Sequence, residues 1–159
     1  MHTPSAPHVR DGLAVLPLLQ TLRELAAEPG LDQLVDVHHP ERQSLELTSS
    51  PDLQVWLLTW PPGHRTGWHD HGASRGAYTL LLGSLTEYTW ELGDPAAWRV
   101  GRGEARAYAG GHVHDVRNES DAPALSVHAY APKLVSMTRY VPSGGRLQVT
   151  GVEQAGVQL

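Results

Sequence analysis

The chain has 159 residues, a net charge of −5 at neutral pH and a pI near 6.0. That length suits one domain with a sizeable core, and the mild acidity argues against nucleic-acid or anionic-membrane partners. Cysteine is absent, which excludes disulfides, all-cysteine zinc sites and a thiol nucleophile.

Met1–Gly12 reads as a flexible leader, with residues 13–159 as a single domain. No apolar run reaches membrane-spanning length, and no signal-peptide order is visible, so a cytoplasmic protein is expected. A monomer is expected as well. Leu16, Leu19, Leu22, Leu25 and Ala26 recur with a helical period between Leu13 and Glu28, and Pro29-Gly30 ends it. Residues Leu31–Val37 can form a short second helix. From Arg42 onward the signal changes to short β runs. Strands are expected at Ser44–Thr48, Gln54–Trp60, Ala77–Leu82, Leu85–Glu91, Trp98–Val100, Ala105–Ala109, His114–Asn118, Ala124–Ala129 and Met137–Val141. Gly83-Ser84 reads as a tight hairpin turn and Gly93-Asp94-Pro95 as another turn. Ser143–Leu159 fits an edge strand or a loose end. Many short strands at regular spacing indicate an all-β sandwich or barrel.

His69-Asp70-His71 and the distant His114 carry the chemistry. In an extended strand, side chains at i and i+2 share a face, so His69 and His71 project together while Asp70 points away to fix a turn or support a ligand. Two ligands from one strand cannot close a metal site, and His114 lies on a separate predicted strand. Three imidazoles suit a first-row transition metal better than Mg²⁺ or Ca²⁺, which prefer oxygen. Ten histidines are present, and most need no function. His2 and His8 fall in the leader, His38-His39 in a loop, and His64 in a turn after Pro61-Pro62-Gly63. His112 forms a second His-x-His pair with His114 and competes as third ligand. Its place after Gly110-Gly111, at a turn, favours His114. Trp56, Trp60 and Trp68 read as core or pocket-wall aromatics.

Gly63-x5-His69-x-His71-x4-Gly76-x6-Gly83 resembles the first cupin motif, and Gly103-x5-Ala109-x-Gly111-x2-His114-x3-Asn118 resembles the second. The first motif usually has a metal-binding Glu where this chain has Gly76, and the second usually has Pro where it has Ala109. Without the carboxylate, a three-histidine site remains. The segments 66–77 and 118–130 resemble the cysteine dioxygenase family, particularly its bacterial members. The resemblance implies a mainly β cupin, a small jelly-roll β-barrel with one or two N-terminal helices. It implies mononuclear non-haem Fe(II) on His69, His71 and His114. The implied reaction converts L-cysteine to cysteine sulfinate with both atoms of O₂.

Ser126, His128 and Tyr130 alternate along one strand and so share a face. The family pattern sets such a series beside the iron, with His128 orienting Tyr130 by a hydrogen bond and Ser126 buttressing the imidazole. Some members carry a Cys–Tyr crosslink; Gly76 stands at the matching cysteine position, so an uncrosslinked Tyr130 is expected. Members acting on cysteine grip its carboxylate with an arginine on an early strand, and relatives acting on 3-mercaptopropionate have glutamine there. Arg42 and Gln43 both fit that place, and only one can point inward. Arg75, after the histidine pair, is a further cation. Two other readings stand beside the thiol dioxygenase: a non-catalytic metal-binding cupin, and a cupin isomerase or oxygenase using Mn or Ni.

Overall fold

The computed structural model describes residues 7–154, with side chains from residue 15 onward. Helix α1 spans Pro7–Ala26 and so begins ahead of the expected Leu13. The last residues of the expected leader are therefore helical, and Met1–Ala6 lie outside the described residues. Among the described side chains of α1, Leu18 and Leu22 are fully packed, with Leu19, Leu25 and Ala26 partly buried beside them. Leu16, expected on the apolar stripe, is 60% exposed. The second helix is a single 3₁₀ turn, Leu31–Gln33.

Eleven strands follow among the described residues: β1 (Ser44–Ser49), β2 (Gln54–Trp60), β3 (Trp68–His69), β4 (Arg75–Leu82), β5 (Leu85–Glu91), β6 (Asp94–Val100), β7 (Ala105–Tyr108), β8 (His114–Arg117), β9 (Ala124–Ala131), β10 (Ser136–Ser143) and β11 (Arg146–Gln154). They form two antiparallel sheets, ordered β1-β2-β9-β4-β7 and β11-β10-β3-β8-β5-β6. The chain has a cupin fold, mainly β, with an N-terminal helix. No helix among the described residues is long and apolar enough to cross a membrane.

Alternation explains the layering. In the first sheet, Val55 and Leu57 of β2, Ala77 of β4, and Leu125, Val127 and Ala129 of β9 pack under Leu18 and Leu22 of α1. Their neighbours Leu58, Trp60, Tyr78, Leu80 and Ala124 face the other way, into the space between the sheets, where they meet Leu85, Val100 and Val116. Strand β9 is thus covered on both faces, unlike an ordinary amphipathic strand. Burying Leu22 fully contributes about 1.5–3 kcal/mol.

Two local expectations change. Gly83-Ser84 does not close a hairpin, because β4 and β5 belong to different sheets. Gly83, at φ +71° and pressed against the Pro123 carbonyl, carries the chain across. The β5–β6 hairpin turns at Leu92-Gly93, both at positive φ as a two-residue turn requires, while Asp94 and Pro95 are already strand. Pro95 is tolerated because β6 is an edge strand. Of the two forms expected for the tail, the edge strand is found: β11 pairs with β10 at the sheet edge, and residues 155–159 lie outside the described residues.

Candidate metal centre and its surroundings

His69 and His114 are direct cross-strand partners on β3 and β8, so their side chains leave the sheet on one face. His71 lies just past β3, where the chain turns. The Asp70 carboxylate shapes this turn by accepting hydrogen bonds from the Gly72 amide (2.9 Å) and the Tyr140 hydroxyl (2.7 Å). Asp70 therefore points away from the histidines, and its bond pushes the Tyr140 phenol up to about 12. The three imidazoles are buried, with ring centroids 4.7–5.1 Å apart. Their ligand nitrogens form a group that could hold a metal.

The hydrogen bonds define the donors. His69 Nδ1 is 2.8 Å from the Gly67 carbonyl, and His114 Nδ1 is 2.6 Å from Glu87 Oε1. A proton on each Nδ1 leaves Nε2 as a lone pair, the neutral form that ligates metals. His69 Nε2 lies 3.1 Å from His71 Nε2. His71 Nδ1 is buried without a partner, and the ring is held between Tyr108 (5.4 Å) and Tyr130 (4.9 Å). Burial, then the neighbouring histidines, holds His69 and His71 well below their ordinary pKa. Burial also lowers His114, partly opposed by Glu87. Three neutral imidazoles facing one another are a donor set that fits a first-row transition metal.

His112 does not join this group. It stacks on Tyr108 at 4.7 Å, and its Nε2 lies 3.2 Å from Glu87. Glu87, fully buried on β5, also receives the Arg106 Nε proton at 2.6 Å. Burial alone would raise its pKa, but His112, His114 and Arg106 together hold it well below the usual carboxylate range. Sequence reading missed Glu87. Its signal was an acidic residue sharing the inward face of Leu85 on an alternating strand.

Ser126, His128 and Tyr130 do project together between the sheets, all buried. Trp60 Nε1 donates to Ser126 Oγ (2.7 Å), which leaves the hydroxyl proton for His128 Nε2 (2.8 Å). The expected His128–Tyr130 hydrogen bond is not formed. Their ring centroids are 6.5 Å apart. The His128 ring is instead pinned flat on Tyr78 at 4.9 Å. The Tyr130 hydroxyl neighbours that of Tyr108, and burial raises both phenols, Tyr108 well above its ordinary pKa.

Tyr108 is the second residue that sequence reading missed. Its ring occupies the space a side chain at Gly76 would fill, so a Cβ there would overlap it. Gly76→Ala should therefore cost about 1–3 kcal/mol of stability through overpacking. In a Tyr108→Leu background the same change should cost less, read by urea unfolding of both pairs.

Arg42 and Gln43 part company. Ser44 pairs with Leu58, whose side chain faces between the sheets, so Arg42 shares that inward face. Its guanidinium lies 4.3 Å over the Trp60 ring, with Nε and Nη2 buried and unpaired. Burial lowers it to about 10, so it stays charged at neutral pH. A narrow cavity of about 10 Å³, room for a single water, connects it to His69, His114, His128 and Tyr130. Gln43 faces outward and accepts the Asp36 amide proton at 2.8 Å. His64 forms the expected turn, but its ring meets Trp60 edge-on at 5.6 Å. Burial and Arg42 lower it to about 4. Arg75 does not line the cavity.

A model of the cysteine dioxygenase type I family matches residues 34–143. The chain belongs to this family. Similar solved structures include TT1209 from Thermus thermophilus, 27% identical, covering 64% of this chain and 93% of that one with a TM-score of 0.55. A protein with a double-stranded β-helix domain from Klebsiella pneumoniae is 18% identical over 76% of this chain and 93% of its own, TM-score 0.55. A cupin superfamily protein from Desulfitobacterium hafniense is 13% identical over 67% and 93%, TM-score 0.57. The last two carry the fold alone. Family membership supports dioxygenase chemistry at this cupin site.

Histidines wholly or partly buried set an acid limit on this cysteine dioxygenase-family fold. His64, His69, His71, His114 and His128 all sit below the ordinary value of 6.5. Below that value the unfolded chain takes up protons that the folded chain does not, so stability falls as pH falls. The metal-free protein should unfold at progressively lower temperature from pH 7 to pH 5, by calorimetry, with little change between pH 7 and 8.

Proposed function

We propose that this chain is a mononuclear iron thiol dioxygenase that converts L-cysteine and O₂ to cysteine sulfinate. Arg42 carries the choice of substrate. It is a charged guanidinium whose buried Nε and Nη2 have no partner, and it lines one narrow cavity with His69 and His114. A guanidinium fork is suited to the carboxylate that both candidate thiols carry; the assignment to cysteine rests on the family resemblance, in which arginine at this place goes with cysteine, and Gln43 is turned outward. In this reading the chain acts in the cytoplasm as a monomer on a small thiol.

His69, His71 and His114 would hold Fe(II). When bound, iron supplies the redox chemistry for O₂ and the charge that deprotonates a coordinating thiol. The protein does the rest. Arg42 binds the carboxylate and fixes the thiol's approach. Its unpaired Nε and Nη2 gain acceptors on binding, so a carboxylate relieves a buried polar deficit. The Ser126–His128 pair, fixed by Trp60 and Tyr78, forms one wall. Tyr130, held protonated by burial, lines the cavity beside Tyr108 and is placed to donate to substrate or oxygen. Apolar and aromatic walls exclude bulk water.

The test is O₂ consumption by anaerobically Fe(II)-loaded protein given L-cysteine and 3-mercaptopropionate separately, with sulfinate quantified. Higher kcat/KM for cysteine is expected. A preference for 3-mercaptopropionate would reverse the substrate assignment, and no sulfinate from either would defeat the dioxygenase reading.

A further inference from the structure

The three-histidine set lacks the carboxylate that many metal sites place among their ligands, yet a carboxylate lies directly behind it. Glu87 is fully buried and hydrogen-bonded to His114 Nδ1 at 2.6 Å. Among the described residues, the other triad histidines have no such partner: His69 Nδ1 faces a backbone carbonyl and His71 Nδ1 faces none. The remaining Glu87 contacts are Arg106 on Oε2 at 2.6 Å and His112 on Oε1 at 3.2 Å. Glu87, His112 and His114 are themselves spaced to hold a cation. The Arg106 guanidinium already occupies the other carboxylate oxygen, so a second cation there would meet a like charge. Burial of an ionised carboxylate is costly unless it is paired, so a structural role alone would be met more cheaply by an apolar residue.

We propose that Glu87 supplies through His114 the negative charge that the histidine triad lacks, with Arg106 limiting how much of it reaches the metal. The inference rests on the metal-centre reading above. A carboxylate bonded to the far nitrogen of a ligating histidine fixes its tautomer and raises its basicity. It also stabilises the ferric state more than the ferrous state, because the attraction grows with the metal's charge. Glu87 is a positioning residue: it acts on the metal only through His114.

The experiment measures Fe(II) and Co(II) affinity by chelator competition, and the ferric/ferrous potential at saturating iron, in wild type, Glu87→Gln, Arg106→Gln and His114→Phe. Circular dichroism confirms the fold of each. Glu87→Gln should bind metal about 10- to 100-fold more weakly and show a more positive potential. Arg106→Gln should shift the potential the opposite way. A merely structural role would not move the potential of iron-saturated protein in opposite directions. Unchanged affinity and potential in Glu87→Gln, with His114→Phe unable to bind, would overturn the inference and leave the metal centre standing. Metal binding retained by His114→Phe, or absent from wild type, would overturn both. Should Glu87→Gln not fold, Arg106→Gln decides alone: a more negative potential supports the inference, and an unmoved one sinks it.

Discussion

Replacement of His71 by alanine should leave a folded protein that no longer retains iron and forms no sulfinate. His71 is the ligand candidate outside regular strand, while His69 and His114 remain paired across β3 and β8. Two imidazoles from one cross-strand pair make an incomplete site, so the loss of affinity should exceed the roughly 10- to 100-fold that a supporting residue costs. The fold should survive because the turn at His71 is shaped by Asp70, whose bonds to Gly72 and Tyr140 do not involve the imidazole. The measurement is iron content after desalting, beside circular dichroism and sulfinate formation. A variant that keeps stoichiometric iron would remove His71 from the ligand set.

The second large effect concerns Arg42. Arg42→Gln should lower kcat/KM for L-cysteine by about 100-fold or more, because two hydrogen bonds to a charged group contribute about 1.5–3 kcal/mol each. The cost to wild type of holding an unpaired, desolvated guanidinium is already met in the free protein, so binding recovers it. The change should also move the preference toward 3-mercaptopropionate. Metal affinity should stay as in wild type, since Arg42 touches Trp60 and makes no hydrogen bond to a triad histidine. Steady-state rates with both thiols, on protein of equal iron content, give the answer. Equal loss for both thiols would mean that Arg42 binds the carboxylate without discriminating between them.

The parts of this structure that follow a local rule were legible in the sequence. The two-residue alternation of β9 set Ser126, His128 and Tyr130 on one face, and the separate strands carrying His69 and His114 implied a site built from distant segments. Most strand positions from Gln54 to Val141 were visible in β-run and turn chemistry, with shifts at the ends; the two-residue β3 was not among them, and β6 begins four residues ahead of the expected Trp98. What the sequence hid depends on long-range pairing or shape. Gly83-Ser84 has the composition of a hairpin turn, but its flanking strands find partners in different sheets. The Arg42/Gln43 choice is set by which residue of β2 faces Ser44, a register fixed by the whole first sheet. Tyr108 fits only because Gly76 lacks a side chain, a complementarity between residues far apart in the chain. The Tyr130 hydroxyl was expected to meet His128, whose Nε2 is engaged by Ser126 and whose ring is pinned on Tyr78.

The proposed dioxygenase places both atoms of O₂ on one thiol sulfur. Iron-loaded protein turned over with L-cysteine under isotopically heavy O₂ in ordinary water tests it by mass spectrometry of the sulfinate. Heavy oxygen at both sulfinate positions is the predicted result. A sulfinate carrying oxygen from water, or a product limited to the disulfide, would contradict the proposed dioxygenase reaction.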